Sequence, residues 1–501
     1  MKKKSIIFSV MAVLVVSVLC LVAVFAVAWG AYTILDKQGV TTGEIQNIPL
    51  VDSPPATPES PAFEAIEPET TDPADLDLEA LFSPFWESWD ILHDEYVEQP
   101  LDDEALMQGA IEGLTFVLDE ADVDYSTVDI PASARSVDEI AKTANTPRDL
   151  IDMFEPFWEL WQATEHTDLN GFSYEDLEIG ALRGMVNSLG DPYTSYLDPG
   201  EYSEMLNYLN GADYEGIGAW VDTSGEYLTI TSPMDSSPAE AAGLKPKDEV
   251  IAIDGKDMTD VDPEIARQHV LGPAGSTVIL TIKRPGVDEP FDVEIVRASI
   301  TTPIVISEMR DDGIAYLRLT TFGSTSAAEM HSALEELLAQ NPKGLVFDLR
   351  YNGGGYVDAA IAVMSEFVDD GVVLYQQYGD GSRDEYYAQP GGIATDIPMV
   401  VLVNEATVSA AEITAGTLQD YERATLVGET TFGKGLVQLP IELPDNNGVL
   451  KVTISYWLTP NERLIQEIGL EPDVVVPFTE EDAAADVDPQ IEKAVEILLG
   501  Q

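Results

Sequence analysis

Ser409 carries a hydroxyl at a position that could support nucleophilic chemistry. It lies in the segment TVSAAEITAG (407–416), which follows the apolar run PMVVLVN and predicts a turn between a buried strand and a helix. Serine at such a corner is commonly a helix N-cap. A nucleophilic serine there would need a general base within hydrogen-bond reach. The segment alone leaves both roles open.

Because none of the chain's histidines lies in a motif-like stretch, lysine is the remaining candidate for the base that Ser409 would need. Lys434 is one of 13 lysines and stands between glycines in ETTFGKGLVQLP, among apolar residues. Burial would lower the pKa of its amine, which could then take a serine proton in a Ser-Lys arrangement. An exposed lysine in a glycine-flanked hairpin turn is the alternative. The chain has four histidines, none in a motif-like stretch: His93, His166, His269 and His331.

Charge and composition exclude several classes of function. The chain of 501 residues has 90 acidic and 25 basic residues, a net charge of −65, which argues against nucleic-acid binding. It has no histidine pair at i, i+4 with a glutamate and no cysteine cluster, so the sequence predicts no metal site and no cofactor. The single cysteine, Cys20, lies in an apolar run and leaves the folded part without a disulfide.

The elements around Ser409 and Lys434 indicate an α/β sheet. After about residue 301 short strands alternate with helices, as in sheets with helices packed against them. In such sheets, sites form at the carboxyl ends of strands. Two segments occupy such positions: RYNGGG follows the strand VFDL, and NEATVSA follows VVLV.

The N-terminus predicts a membrane anchor. The uncharged stretch from Ser5 to Leu35 has 31 residues, enough to span a bilayer, and it follows MKKK. By the positive-inside rule everything after the span is extracytoplasmic, in a single-pass protein of the cell membrane. A cleaved signal peptide is the alternative. Residues 36–78 have seven prolines and ten acidic residues, a composition typical of a disordered spacer.

An internal repeat and a β-rich segment come between the spacer and the α/β region. LFSPFWESWDIL (81–92) recurs as MFEPFWELWQAT (153–164), and LMQGAIEGL (106–114) recurs as LEIGALRGM (177–185). Two helical hairpins with aromatic stripes fit this pattern. The second copy ends in the turn-rich LGDPYTSYLDP.

The segment after about residue 213 resembles a PDZ domain. The resemblance rests on GIGAWV (216–221) and on SPAEAAGLKPKDEVIAIDG, in which Lys247 replaces the usual glycine before the aspartate. It implies that the loop of Gly216, Ile217 and Gly218 receives a chain-terminal carboxylate while the bound tail adds as a strand. A purely structural PDZ domain is the alternative.

Residues 213–478, with part of the helical region, resemble the carboxyl-terminal processing (tail-specific) serine proteases. The motifs are DLRYNGGGYVDAA, NEATVSAAEI, TTFGKGLVQ and NERLIQEIGLEPDVVV, in this order. The resemblance implies that Ser409 is the nucleophile, Lys434 the general base and Gln438 the residue that orients it. It also implies an oxyanion hole from the backbone N–H groups of Ala410 and Gly354.

The resemblance implies an extracytoplasmic endopeptidase that captures the apolar C-terminal tails of polypeptides and is membrane-bound through its N-terminus. A catalytically silent PDZ scaffold and a histidine-based esterase are the alternatives, and a homo-oligomer is left open. The predicted organisation is α+β and multidomain: a cytoplasmic stub and transmembrane helix (1–35), a disordered acidic linker (36–78), a duplicated helical segment (79–212), a β-rich PDZ domain (213–300), an α/β serine protease core (301–480) and a C-terminal helix (481–501).

Overall fold

The computed structural model describes residues 76–500, apart from short gaps at 126–127, 129, 212–213, 223–226, 235–236, 246, 260, 262, 288, 301–302, 480–481 and 483–486. The predicted membrane span and nearly all of the predicted linker lie outside the described residues. Within the described part of the chain, no helix combines the length and the apolar character needed to cross a bilayer.

The first described region is helical, and the two sequence repeats form equivalent helices. Proline stands in the first turn of both aromatic helices, where its missing N–H costs no hydrogen bond. The helices are α1 (Leu78–Leu81), α2 (Ser83–Glu95), α3 (Asp103–Glu120), α4 (Val137–Thr143), α5 (Glu155–Thr164) and α6 (Tyr174–Asn187).

The aromatic residues of both repeats interlock in one buried core. The Phe82 ring lies 4.8 Å from Trp158 and 4.7 Å from Trp161, edge-on in both cases, and Trp86 lies 5.0 Å from Phe154. Edge-to-face contacts at such distances are favourable beyond the burial of apolar area. The aromatic stripes therefore belong to the core and hold the two repeats together.

Helices α3 and α6 approach closely because glycines line their contact. A Cβ on Gly113 would lie 2.0 Å from the carbonyl oxygen of Gly180, and one on Gly184 would lie 2.2 Å from that of Gly109. Any larger residue would push the helices apart. The helical region continues into strand β1 (Ser195–Leu197) and helix α7 (Pro199–Leu209).

The β-rich region folds around its own apolar core. Its antiparallel sheet has the order β3-β4-β5-β7-β8, which leaves β3 at an edge, and β2 pairs separately with β9. The elements are β2 (Tyr214–Gly216), β3 (Ala219–Asp222), β4 (Leu228–Pro233), α8 (Pro238–Ala241), β5 (Glu249–Ile253), β6 (Lys256–Asp257), α9 (Pro263–Val270), β7 (Thr277–Lys283), β8 (Phe291–Val296) and β9 (Ala298–Ile300).

The C-terminal half is built on two sheets. The first has the order β10-β11-β12-β15-β16-β19, with all neighbouring strands parallel except β10 and β11. Its elements are β10 (Val305–Met309), β11 (Ala315–Leu319), α10 (Ser326–Leu338), β12 (Leu345–Asp348), α11 (Val357–Met364), β15 (Met399–Val403), α12 (Ala410–Asp420), β16 (Thr425–Gly428), β19 (Val474–Val475) and α13 (Pro489–Leu499).

The second sheet is antiparallel and joins the helical region to the C-terminal half. Its order is β1-β18-β13-β14, and β17 also pairs with β18. Because β1 follows the helical repeats, the region predicted at 79–212 contributes a strand to this sheet. The remaining strands are β13 (Val372–Tyr378), β14 (Arg383–Tyr387), β17 (Leu436–Glu442) and β18 (Val449–Leu458).

Candidate active site

The two loops singled out in the sequence lie side by side. Strands β12 and β15 are parallel neighbours, so their carboxyl ends meet at the same edge of the sheet. The loops after them are joined by hydrogen bonds: the N–H of Val408 donates to the carbonyl oxygen of Asn352 at 2.9 Å, and the N–H of Tyr351 donates to Oδ1 of Asn404 at 3.0 Å. The sheet therefore places the glycine loop against the serine.

Ser409 lies at the corner between β15 and α12 in an unusual backbone conformation. Its φ is 57° and its ψ is −118°, in a region that residues other than glycine rarely adopt and that often marks a functional site. The N–H of Ser409 donates to Oε2 of Glu412 at 2.8 Å, so the N-cap residue and the third residue of α12 are paired as in a capping box. The half-buried Ser409 thus lies at a strained turn that also begins the helix.

Gly354 packs directly against the serine, which explains the need for glycine. A Cβ at this position would lie 2.8 Å from Cβ of Ser409 and 3.0 Å from the backbone nitrogen of Ala410. Its φ of 95° also lies in the left-handed region. The loop thus brings Gly354 and the first amide of α12 to the same side of Ser409.

One of the two predicted oxyanion-hole donors is hydrogen-bonded within its own loop. The N–H of Gly354 donates to Oδ1 of Asn352 at 2.9 Å, so this amide already has an acceptor. The Asn352 side chain is fully buried and donates in turn to the carbonyl oxygen of Leu319 at 2.8 Å. Asparagine side chains readily close such local turns. The roles of Ala410 and Gly354 as oxyanion-hole donors therefore stay predictions, and the Gly354 N–H already has an acceptor.

Hydrogen bonds hold the backbone of Lys434 in place, and its side-chain amine is largely buried. Its N–H donates to Oε2 of Glu412 at 2.9 Å, and its carbonyl oxygen accepts the indole N–H of Trp457 at 2.9 Å. Nζ lies 4.8 Å from the centre of the Tyr193 ring. Burial, with a contribution from the charge of Lys451, lowers the pKa of Lys434 to about 8. At that pKa about a tenth of the amine is neutral at pH 7.

Gln438 is hydrogen-bonded to a residue other than the lysine that it was predicted to orient. Its side-chain amide donates to Oγ1 of Thr453 at 3.2 Å, and the described residues include no hydrogen bond between Gln438 and Lys434. The β17–β18 pairing has an irregularity between Val437 and Gln438. The extra residue at this irregularity is Ile454 of β18, and the Gln438 amide faces β18.

Glu412 is the residue that the sequence analysis missed. Its carboxylate is fully buried and accepts the N–H groups of Ser409 and Lys434 through Oε2. Oε1 accepts the hydroxyl of Thr431 at 2.6 Å and the N–H of Gly433 at 2.7 Å. Burial raises the pKa of this carboxyl, whereas the four hydrogen bonds lower it. The sequence did contain a signal for this role: Glu412 is the single charged residue in the run AAEITAG, whose other residues are small or apolar.

The predicted tail-binding loop joins β2 to β3 in the β-rich domain. The carbonyl oxygens of Ile217 and Gly218 accept the N–H groups of Ala239 and Met234 at 2.8 and 3.0 Å. Gly218 has a φ of 75°, and a Cβ on it would lie 2.6 Å from Cβ of Ser237. The loop is therefore fixed in one conformation next to the edge strand β3.

Comparison with known proteins matches both domains to described families. Residues 313–476 match Peptidase family S41, and residues 215–295 match the PDZ domain. The carboxyl-terminal-processing proteases of Picosynechococcus and Synechocystis are 39% and 36% identical over 302 and 331 residues. These alignments cover 59% and 64% of this chain and 72% and 76% of the two relatives.

The chain belongs to the carboxyl-terminal processing proteases.

Two further comparisons support this family assignment. Carboxy-terminal processing protease CtpA of Bacillus subtilis is 39% identical over 301 residues, which are 60% of this chain but 64% of that protein. The solved structure of the photosystem II D1 C-terminal processing protease superimposes with a TM-score of 0.53 at 26% identity, covering 84% of this chain and 97% of that one. The predictions of a PDZ-containing serine peptidase and of a mixed α/β multidomain fold are confirmed, and a catalytically silent scaffold is not favoured.

Proposed function

We propose that this carboxyl-terminal processing protease hydrolyses peptide bonds with Ser409 as nucleophile and Lys434 as general base. The observation that carries the proposal is the shared carboxylate of Glu412, which binds the backbone N–H groups of both residues through one oxygen. A rigid bridge of this kind fixes the relative position of two segments that are far apart in sequence. The shielded amine supplies a base of suitable strength.

The reaction follows from these positions. The neutral amine of Lys434 takes the proton of the Ser409 hydroxyl while the serine oxygen bonds to the scissile carbonyl carbon. The tetrahedral intermediate collapses by breaking the C–N bond, and the Lys434 ammonium gives its proton to the leaving amine. Water then attacks the acyl-enzyme, Lys434 takes a proton from it, and Ser409 is released with its hydroxyl restored.

The N–H of Ala410, at the start of α12, would donate to the carbonyl oxygen as negative charge develops on it. The helix N-terminus favours negative charge at this place. Gly354 would supply the second donor once a bound substrate displaces Oδ1 of Asn352, since catalytic hydrogen bonds commonly rearrange when substrate binds.

We further propose that the PDZ domain selects the substrate by its C-terminal tail. The tail carboxylate would bind backbone N–H groups of the loop at Gly216, Ile217 and Gly218, and the tail would extend β3 at the open edge of the sheet. The preferred tails are proposed to be apolar, which is what the resemblance to the tail-specific proteases implies.

The enzyme is also proposed to act outside the cytoplasm, anchored by the apolar stretch at 5–35. The length of that stretch and the lysines before it support this placement. Protease digestion of intact and lysed cells would test it: degradation of the chain only after lysis would contradict an extracytoplasmic position. An N-terminal mass measurement distinguishes an intact anchor from a cleaved signal peptide.

Turnover of an unfolded protein with an apolar C-terminal tail tests the catalytic proposal. Wild type is expected to release fragments, and Ser409→Ala and Lys434→Ala are each expected to lose at least about a thousandfold in kcat. Equal turnover by wild type and Ser409→Ala would contradict the mechanism. Retained activity in Lys434→Ala would contradict a lysine base and favour a histidine-based esterase.

A further inference from the structure

The turn that ends the helical region reaches the candidate base. This turn, LGDPYTSYLDP, comes from a part of the chain more than 200 residues before Lys434. It places the ring of Tyr193 4.8 Å from Nζ of Lys434. An aromatic face at this distance attracts an ammonium more strongly than a neutral amine. The ring is therefore suited to stabilise the protonated lysine that forms when the serine loses its proton.

Asp191 fixes the conformation of this turn and connects it to β18. Its Oδ1 accepts the N–H of Tyr193 at 2.9 Å, and its Oδ2 accepts the hydroxyl of Thr194 at 2.7 Å. The hydroxyl oxygen of Thr194 accepts the N–H of Thr453 at 3.0 Å. The carboxylate also acts on the base, because its negative charge favours the protonated form of Lys434.

Lys451 brings a second cation to the same place. It lies opposite Ser195 of β1 and Pro440 of β17, two residues before Thr453 on β18. Side chains two apart on a strand share a face, so Lys451 projects on the side of Thr453, which binds Gln438. The half-buried ammonium of Lys451 lowers the pKa of Lys434 by repulsion, and its own pKa is lowered by burial.

We propose that Tyr193, Asp191 and Lys451 are positioning residues that set the protonation of Lys434, with Lys451 favouring the neutral amine and Asp191 opposing it. The inference rests on the proposed function of Lys434 as the general base. It assigns a role in catalysis to the helical region, which delivers Tyr193 and Asp191 through its last turn. It also accounts for a lysine kept half-buried beside the candidate base.

Other ionisable groups face this cluster. The Glu412 carboxylate acts on Lys434, and Glu467 acts with it on Tyr193. Tyr96 and Tyr456 lie near Asp191, whose charge raises the pKa of both, and the Tyr456 hydroxyl donates to Glu98 at 2.9 Å. Asp191 also favours the charged form of Lys451. Lys451→Gln leaves Asp191 and these neighbours in place, so its shift reports the charge of Lys451, and Asp191→Asn supplies the shift in the opposite direction.

The test is the pH dependence of kcat/KM on the unfolded tailed substrate, measured for wild type, Lys451→Gln, Lys451→Arg and Asp191→Asn. Removing the cation in Lys451→Gln should raise the pKa of Lys434, so the acid limb moves to higher pH by about one unit and activity at pH 7 falls about tenfold. Lys451→Arg keeps the charge and should hold the limb near its wild-type position. Asp191→Asn should move the limb to lower pH.

Lys493→Gln is the matched control, because this half-buried lysine on α13 pairs only with Glu496 among the described contacts. Its profile should superimpose on that of wild type. Profiles of Lys451→Gln and Asp191→Asn that superimpose on wild type, or that both shift in the same direction, would overturn the inference. The proposed function would still stand if Ser409→Ala and Lys434→Ala were inactive, so the two failures are distinguishable.

Discussion

At the scale of single residues, the central contact is the carboxylate of Glu412. It accepts four hydrogen bonds, two of them from the backbone of the candidate nucleophile and base. A carboxylate is an acceptor at every lone pair, and no other side chain of this size matches four converging donors. The geometry of the Ser409 and Lys434 pair therefore depends on a residue that contributes no proton to the reaction.

Glu412→Gln should impair both stability and activity. The amide would turn one NH₂ group toward N–H and O–H donors, so two hydrogen bonds would be lost in a buried site. The expected cost is about 2 kcal/mol or more in the free energy of unfolding, with kcat reduced at least about tenfold. Urea unfolding and turnover check this against Glu336→Gln, an exposed change on α10. Equal effects of the two substitutions would contradict the role of Glu412.

The pKa of Lys434 predicts how activity depends on pH. The pKa is lowered to about 8, mainly by burial. In the proposed mechanism the neutral amine is the active form. The value of kcat/KM should therefore rise about tenfold per pH unit below pH 8 and level off above it. A histidine base would level off near pH 7 instead. A pH–rate profile with its acid limb near 6.5 would contradict a lysine base.

At the scale of elements, strand ends and helix contacts bring the site together. Alternating strands and helices predicted that the loops after β12 and β15 lie at the carboxyl ends of strands, and the parallel pairing of these strands brings the two loops together. The sequence could not predict which groups accept the hydrogen bonds of the Gly354 N–H and of the Gln438 side-chain amide. Asn352 competes locally for the first and Thr453 for the second, and such competition is decided by side-chain geometry rather than by a sequence pattern.

The α3–α6 contact is another feature that the pattern only partly showed. The sequence repeat aligned the glycines of α3 and α6, but it did not predict that the two helices contact each other at backbone distance. Gly113→Ala should destabilise the protein by about 2 kcal/mol or more, because its Cβ would meet a carbonyl oxygen at 2.0 Å and this outweighs the roughly 1 kcal/mol helix preference of alanine.

Urea unfolding measures the effect of Gly113→Ala. Ser332→Ala, an exposed change on α10, should stay within about 0.5 kcal/mol of wild type and serves as control. Unchanged stability in Gly113→Ala would show that α3 and α6 separate without cost.

At the scale of the whole molecule, the proposed function divides the work among three regions of the chain. The α/β core holds Ser409 and Lys434, and the helical region adds β1 to the second sheet and Tyr193 to the base. The PDZ domain has its own core and presents a fixed loop beside an open sheet edge. This division predicts that tail recognition and bond cleavage can be altered separately.

Blocking the substrate's terminal carboxylate should weaken cleavage without changing the chemistry. For two otherwise identical substrates, amidation of the C-terminus should lower kcat/KM at least about tenfold, because the amide cannot replace a carboxylate bound by backbone N–H groups. Deleting residues 213–300 should remove the difference between the two substrates. Equal cleavage of both by the intact chain would contradict tail recognition by the PDZ domain.

The most direct measurement of the central claim is the labelling of the serine by a fluorophosphonate. Mass spectrometry of the intact chain and of its peptides should show one adduct, on Ser409. Its rate of formation should rise with pH toward a plateau above pH 8, and Lys434→Ala should slow it at least about a hundredfold. An adduct on another residue, or equal rates in wild type and Lys434→Ala, would contradict the account.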